Sequence, residues 1–384
     1  MNNAIIEFSK KHPAFFKEIV CIHYPFTFAE LQQWQHWVDW HLIAKNSNIA
    51  WTMEMIDAFP TAPIAVGIAF CSRSLSNKAF LLAFCERFKN NKEVANALMI
   101  NRHIVWDQSL FDTIGDYIDL EDLSFSSNRQ FTWNYAIIDK YLGDWNWEHL
   151  SFNPCLPWSL AFIDRYKDYI DFDCFFANNQ GVCAHYDIVN QYEDILNWGT
   201  ISMSHQLPWL ENNLLEKWHS KIDWTYIAAN KKLLALPGFI DTNISKWLGN
   251  KTAFELLSGN EGLPWDISLL EKYEDHWNWY EIADNENIPW SISLIEKYKI
   301  KLVESAEYED NHVGVEKSYY RIANNFHFNI HFNAGMPWSI ELLETFKNHW
   351  RFDLLAHNSQ VWEKVFKPVV NAELIELFVK YKYN

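Results

Sequence analysis

The sequence predicts an all-α fold, an α-solenoid of about thirteen short two-helix repeats with a capping helix at each end. The composition is unusually aromatic, with 21 Trp, 27 Phe and 17 Tyr among 384 residues. Gly (11) and Pro (12) are scarce, which favours helices over long loops. A pattern built on Pro-Trp and Trp-Asn-Trp recurs about every 25 residues, and helix pairs of this size must stack on their neighbours to bury an apolar face.

Each repeat begins at an aromatic anchor, which follows a Pro in the clearest copies. Most steps between anchors are close to the period, but the step from Trp290 to Trp338 is about twice as long. The repeats therefore cover most of the chain, with one irregular insertion. The predicted anchor positions are Phe26, Trp51, Phe80, Trp106, Trp133, Trp158, Ala184, Trp209, Phe239, Trp265, Trp290, Trp338 and Trp362.

The first helix of each repeat is predicted to begin directly after the anchor. The anchor and an apolar residue five positions later form a hydrophobic staple, and a second aromatic residue follows the anchor by eight positions. The residue next to the anchor has a short side chain whose oxygen can accept a hydrogen bond from an unpaired amide of the first turn. These predicted N-caps are Thr27, Thr52, Asp107, Asn134, Ser159, Asp266, Ser291 and Ser339.

The second helix is predicted to begin at the Trp-Asn-Trp element. A small residue, such as Ala44, Ser151 or Ala283, is expected to let neighbouring helices approach closely. The predicted N-caps of the second helices are Asp39, Asp119, Asn146, Asp171, Asn197, Asp223 and Asn278.

An Asn precedes the next anchor in most repeats. We expect this residue to end the second helix in the left-handed conformation that Asn tolerates. The residues in question are Asn46, Asn101, Asn128, Asn153, Asn179, Asn260, Asn285 and Asn333.

The predicted organisation has three parts. Residues 1–24 form an N-terminal capping helix, residues 25–362 form the Trp-rich repeats, and residues 363–384 form a C-terminal capping helix. The irregular insertion covers about residues 302–333.

The segment Leu-Pro-Trp-Asp-Ile-Ser-Leu-Leu-Glu-Lys-Tyr from Leu263 is followed by Trp-Asn-Trp and then by Asn285. This unit resembles that of Trp-rich tandem-repeat proteins of bacteria. The resemblance extends over nearly the whole chain and implies an α-solenoid. It supplies no catalytic residue.

Sequence motifs for catalysis are missing. The chain contains no GxxxxGK[ST], GxGxxG, GxSxG or HExxH sequence, so we expect neither an enzyme nor a cofactor. His327 and His331 have the spacing of two metal ligands, but the alternating sequence around them is more typical of an extended segment. No third ligand lies nearby in sequence, and we therefore expect no metal site.

Acidic side chains recur six positions after the anchors, outside the predicted apolar stripe. The row is explained either as a solvated helix face, since Lys or Arg often follows directly, or as a surface that binds a basic partner. This acidic row consists of Asp57, Glu86, Asp112, Asp139, Asp164, Glu271, Glu296 and Glu344. The insertion adds Glu304, Glu307, Glu309 and Asp310.

The net charge of -17 disfavours direct binding of nucleic acid, which depends on Lys and Arg. No signal peptide or membrane-spanning run is visible and the Cys are scattered, so we expect a cytoplasmic protein with reduced thiols that does not bind membranes. Three functions stay open. They are an inhibitor or immunity protein that wraps a basic toxin or effector, a scaffold or adaptor for host or phage proteins, and an enzyme with its site in the insertion.

Overall fold

The structure is a computed structural model, and it describes residues 2–107, 110, 126, 128–177, 185–211, 213–312 and 333–381. Every regular element in these ranges is helical, so the predicted all-α fold class is confirmed. The chain divides into two compact units. One consists of Met1–Ile19 together with Leu215–Asn384, and the other of Val20–Leu214.

The unit Val20–Leu214 consists of helix pairs. Second helices of successive repeats pack on one another, as Trp40–Lys45 does on Ala65–Cys71 and Ala65–Cys71 on Lys92–Met99. The first helices are Phe28–Trp34, Met53–Ala58, Lys78–Phe88, Tyr135–Lys140, Leu160–Tyr166 and Tyr186–Gln191. The second helices are Trp40–Lys45, Ala65–Cys71, Lys92–Met99, Trp147–Phe152, Phe172–Ala177 and Trp198–Met203, with a 3₁₀ turn at Arg73–Ser76.

The other unit contains the helix Asn2–Lys11 and further pairs. The first helices are Phe239–Asn243, Ile267–Lys272, Ile292–His312 and Ile340–Thr345; the second helices are Trp224–Ile227, Lys251–Ser258, Trp279–Asp284 and Phe352–Leu355. Additional helices are Lys231–Leu234, Ile244–Lys246 (3₁₀), Ser359–Val361, Trp362–Phe366 (π) and Ala372–Tyr381. The helices Pro13–His23 and Leu214–Lys217 contain the points where the chain passes from one unit to the other.

Residues 1–24 contain two helices, where the sequence predicts one capping helix. A break at His12 separates Asn2–Lys11 from Pro13–His23. Phe15 lies 5.2 Å from Phe352 between ring centroids, and Phe16 stacks on Phe378 at 4.0 Å. The first residues of the chain therefore pack, within their own unit, against its last helices.

The predicted N-caps are confirmed at the positions where the structure describes the cap. The hydroxyl of Thr27 accepts the N–H of Glu30, whose carboxylate in turn accepts the N–H of Thr27, which completes a capping box. Ser159 likewise caps the helix Leu160–Tyr166. Asp119 lies outside the described residues.

The aromatic anchors of the regular repeats lie in the core. Trp133, Trp158, Trp290 and Trp338 are buried, and Trp265 is half-buried with its ring 5.0 Å from that of Trp277. The staple partners are buried as well, among them Ile138, Ile163, Leu270, Ile295 and Leu343.

Three predicted anchor positions are wrong. Phe80 lies in the first turn of a helix whose N-cap is Asn77, and Phe239 is the first residue of a helix that follows Gly238. Trp362 lies inside the helical segment that begins after Asn358. In each of these copies the cap lies nearer the N-terminus than predicted, so the aromatic residue falls within the helix. The predicted anchor Ala184 lies outside the described residues.

The repeat Asn residues are not left-handed, which corrects the sequence prediction. Asn46, Asn153 and Asn285 have φ of -75, -78 and -76° with ψ of 102, 116 and 111°, an extended conformation. Among the described residues other than Gly, only Asn213 has a positive φ. The physical reason lies in the side chain, which is buried and bonded to the preceding repeat.

Each of these buried Asn side chains forms what we call an asparagine bridge. Asn153 donates from Nδ2 to the carbonyl oxygens of Ser126 (2.9 Å) and Asn128 (3.1 Å) in the preceding repeat. Its Oδ1 accepts the N–H of Cys155, and its backbone oxygen accepts the indole N–H of Trp158, both at 2.9 Å. Equivalent bridges occur at Asn46 (to the helix Pro13–His23), Asn101, Asn128, Asn260, Asn285 and Asn333. Asn179 lies outside the described residues.

The small residues of the second helices serve two purposes. A Cβ on Gly67 would lie 2.5 Å from Cβ of Ala44, so the helices that carry them can approach this closely only because both residues are small. Where the small residue is Ser, its hydroxyl accepts the N–H of the next repeat's N-cap, as Ser151 does from Asp171 at 2.9 Å. Close approach and a further bond between repeats thus share one position.

The predicted insertion begins as a helix. Residues 302–312 continue the first helix after Trp290, which extends over Ile292–His312. Residues 313–332, including His327 and His331, lie outside the described residues.

Replacing Asn285 by Ala should strongly destabilise the protein. The substitution removes the donor to the Ser258 carbonyl and the acceptor of the Asn287 N–H, and each orphaned buried group costs about 1–3 kcal/mol. We expect a loss of about 2–4 kcal/mol in the free energy of unfolding, measured by urea denaturation.

The matched control is Asn287→Ala. Asn287 is exposed, and its amide donates to the Glu261 carbonyl on the surface, so this variant should lose less than about 1 kcal/mol. Equal losses in the two variants would contradict the assignment of the bridge.

Candidate partner-binding surface

The acidic row lies on the surface of the first helices. The N-cap and the staple together fix the rotation of each helix, because they turn the apolar stripe inward and leave the next position outside. Glu344 is half-buried, and Asp112 lies outside the described residues. The exposed members of the row are Asp57, Glu86, Asp139, Asp164, Glu271 and Glu296.

Three of these carboxylates form ion pairs with a base of the next repeat. These side chains are well exposed to water, so we expect each pair to contribute little to stability. The pairs are Asp57 with Arg87 at 3.5 Å, Asp139 with Arg165 at 2.5 Å, and Glu271 with Lys297 at 2.6 Å.

Three further members of the row pair with bases at other positions. Glu86 pairs with Lys89 at 2.7 Å and Glu296 with Lys299 at 3.9 Å, each within one helix or its last turn. Glu344 pairs with Lys11 at 3.3 Å.

Tyrosine hydroxyls complete some of the ion pairs. The Tyr166 hydroxyl donates to Asp139 at 2.8 Å, and the Arg165 guanidinium lies 5.6 Å from the Tyr166 ring centroid. The Tyr273 hydroxyl likewise donates to Asp241 at 3.1 Å, and Asp241 also forms an ion pair with Lys272. The carboxylate therefore accepts from a fixed phenol and a flexible cation at the same time.

The pKa values follow from these contacts. The hydrogen bond from Lys272 is the main cause that lowers the pKa of Asp241, because it favours the charged carboxylate. Burial, followed by the hydrogen bond to Asp139 and the charge of that carboxylate, raises the pKa of Tyr166 to about 12. The hydrogen bond to Asp139 raises the pKa of Arg165.

Asp164 differs from Asp139 in the residue type at the corresponding position of the next repeat. The position that holds Arg165 for Asp139 holds Gln191 in the following repeat, which has no positive charge. No Lys or Arg occurs anywhere from Asp168 to Glu216. Bases of the next repeat thus form ion pairs with some members of the acidic row, whereas the corresponding position for Asp164 holds the uncharged Gln191.

Glu296 lies at the edge of an open groove of about 890 Å³ in the unit that contains Leu215–Asn384. The groove is also lined by Trp290, Lys299 and Thr345. Thr345 is the residue of the next repeat that corresponds to Lys297, so Glu296 is offered no base there. This groove could not be predicted from the sequence, because its walls come from two repeats that the insertion separates.

For the acidic residues of the insertion, the structure describes the position of the backbone. Glu304, Glu307, Glu309 and Asp310 lie in the last turns of the helix Ile292–His312, and their side chains lie outside the described part of the structure. Their role in binding a partner stays a prediction.

Two further features are missing from the described residues, a cluster of metal ligands and a membrane-spanning helix. No group of three or more His, Cys, Asp or Glu side chains that could hold a metal ion occurs among them. Within the same ranges, the helices are too short or too polar to cross a bilayer.

Comparisons with protein-family models, with curated proteins and with solved structures found no match to this chain. The resemblance to Trp-rich bacterial repeat proteins stays a prediction from the repeat motif.

Replacing Asp139 by Asn should lower the pKa of Tyr166 from about 12 toward its ordinary value of 10. The substitution removes a negative charge that opposes the phenolate, while burial continues to oppose it. The measurement is an NMR titration of tyrosine labelled with ¹³C at Cζ, in which the Tyr166→Phe variant assigns the signal.

The raised pKa of Tyr166 also determines how the stability of the protein changes with pH. A folded-state pKa above the unfolded value means that Tyr166 contributes stability below about pH 10, and that this contribution is lost as the pH rises through about 12. An unchanged Tyr166 titration in Asp139→Asn would show that the carboxylate does not act on the phenol.

Proposed function

We propose that this chain is a non-enzymatic, protein-binding repeat protein, and that it acts as an inhibitor or immunity protein that wraps and neutralises a basic toxin or effector in the cytoplasm. The observation that carries the proposal is the unequal pairing of the acidic row. Asp139 has Arg165 of the next repeat as its partner, whereas the corresponding position for Asp164 is Gln191, in a stretch without Lys or Arg.

The local excess of negative charge favours a basic partner. Asp164, Asp187 and Glu211 are exposed carboxylates, all in the unit Val20–Leu214. A surface of one sign attracts the opposite sign over about 8 Å at physiological ionic strength, which raises the rate of encounter. Paired acids such as Asp139 and Glu271 contribute less to this field, because their bases cancel them at a distance.

The test uses a partner captured from the native cell by cross-linking, identified by mass spectrometry and then purified. Neutralising Asp164, Asp187 and Glu211 together (to Asn, Asn and Gln) should slow association by about tenfold at low salt and reduce its salt dependence. Association rates are measured by surface plasmon resonance at two salt concentrations.

The matched control neutralises both members of three ion pairs, which leaves the net charge unchanged and should therefore change the association rate much less. The pairs are Asp57 with Arg87, Asp139 with Arg165, and Glu271 with Lys297. Thermal melts check that both variants are folded. If the association rate changes neither with salt concentration nor in the variant of Asp164, Asp187 and Glu211, the proposal that the partner is recognised by charge is contradicted.

A scaffold or adaptor is the alternative that shares this surface. An assay of the partner separates the two, because an inhibitor abolishes the partner's activity at stoichiometric ratio and a scaffold binds without doing so. A toxin gene beside the gene of this protein would also favour the inhibitor. The third function, an enzyme with a site in residues 302–333, falls on a segment of which residues 313–332 lie outside the described residues.

A further inference from the structure

The turns between the first and second helices repeat the same backbone hydrogen bond. The N–H of Tyr169 donates to the carbonyl of Tyr166 at 2.9 Å, and in the next repeat the N–H of Ile195 donates to the carbonyl of Tyr192 at 3.0 Å. Tyr169 and Ile195 therefore occupy equivalent positions in successive repeats of the unit Val20–Leu214.

Both of these turns expose an apolar side chain. Tyr169 is 44% exposed and Ile195 is 61% exposed. The same turn position carries Asp144 in the preceding repeat, and it carries His276 and His349 in two repeats of the other unit, each with the same bond. Polar side chains are thus used at this position in those three repeats, and the apolar Trp37 and Ala62, which form the same bond in two others, are half-buried. Tyr169 and Ile195 differ from both groups because they are apolar and exposed.

The apolar surface continues to one side of Tyr169. The ring of Trp147, a half-buried side chain, lies 5.4 Å from the ring of Tyr169 between centroids. Exposed apolar side chains that form a continuous surface are typical of sites that bind another protein.

An exposed carboxylate, Asp168, directly precedes Tyr169. The equivalent acid in the other unit is Asp275, which forms an ion pair at 3.3 Å with Lys301, eleven positions after the anchor of the next repeat. For Asp168 the residue eleven positions after the next predicted anchor is Ile195. The base that offsets Asp275 is thus replaced by an apolar side chain beside Asp168.

The surroundings of this turn in the sequence are acidic as well. From Asp168 to Glu216 the chain has eight Asp or Glu and no Lys or Arg. A ligand that covers Tyr169 and Ile195 therefore meets a region of negative charge, which attracts cations and repels anions.

We propose that Asp168, Tyr169 and Ile195, which we call the turn face, bind a cationic segment of a protein partner in which apolar side chains accompany Lys or Arg. The occupant follows from charge complementarity together with the exposed apolar side chains. An acidic segment would be repelled, and a purely charged one would leave Tyr169 and Ile195 in water. This inference rests on the proposed basic partner and specifies where it binds.

The probe is a short fluorescein-labelled peptide in which Lys alternates with Leu, and a peptide of Lys alone is the comparison. Fluorescence anisotropy should show tighter binding of the Lys–Leu peptide to the wild-type protein. The double variant Tyr169→Ser, Ile195→Ser should weaken the Lys–Leu peptide by about tenfold and the Lys peptide much less, because only the first uses the apolar contacts. Asp168→Lys should weaken both peptides and reduce the salt dependence of binding.

The matched controls change the equivalent turn of the other unit. His276→Ser and Asp275→Lys carry substitutions of the same kind and should alter peptide binding much less than the turn-face variants. Thermal melts of all variants should nearly coincide, since the substituted side chains are on the surface.

Two outcomes would overturn the inference, and they differ in what else they overturn. If the wild type binds the Lys–Leu peptide and the Tyr169→Ser, Ile195→Ser variant binds it equally well, the turn face is wrong while the basic partner stands. If the wild type binds neither cationic peptide, the proposed basic partner fails and the turn face fails with it.

Discussion

The buried asparagine bridge is the interaction on which the rest of the structure depends. In five repeats one amide side chain bonds a carbonyl of the preceding repeat and an N–H of its own turn, and its backbone oxygen accepts the indole N–H of the anchor. These residues are Asn128, Asn153, Asn260, Asn285 and Asn333. Asn153 makes all of these bonds within 3.1 Å. A buried amide without its partners would be costly, so the bridge can form only when neighbouring repeats stack in one register. That register then determines which surface side chains of successive repeats lie together.

Features that depend on near neighbours in sequence could be predicted. The caps at Thr27 and Ser159 and staple partners such as Ile163 involve residues three to five positions apart, and their residue types carry the signal. The extended conformation of Asn285 could not be predicted in this way, because its acceptor is the backbone carbonyl of Ser258 in the preceding repeat, which no residue type marks. A related limit explains the misplaced anchor Phe80, where an aromatic residue is present but the cap lies at a different distance from it.

The acidic row, too, could be predicted from the sequence only in part. Its exposure could be predicted from the helix period, but its pairing depends on stacking. Asp139 and Arg165 lie in different repeats, and they meet because the bridge sets the distance between their helices. Given that pairing, the absence of Lys and Arg from Asp168 to Glu216 locates an excess of negative charge in one part of the chain. The net charge of -17 alone does not locate it. The charge is partly cancelled along the array, and the proposed partner surface lies where the next repeat offers Asp164 no base.

Hydrogen exchange of the asparagine side-chain amides tests the central claim most directly. Selective ¹⁵N labelling of Asn allows the Nδ2 protons to be followed one by one by NMR. The bridges at Asn153, Asn285 and Asn333 are buried and bonded, so their amide protons should exchange roughly a hundredfold or more slowly than those of the exposed Asn348. Exchange of the bridge amides as fast as that of Asn348 would show that these side chains are open to water, and that the repeats are held together in another way.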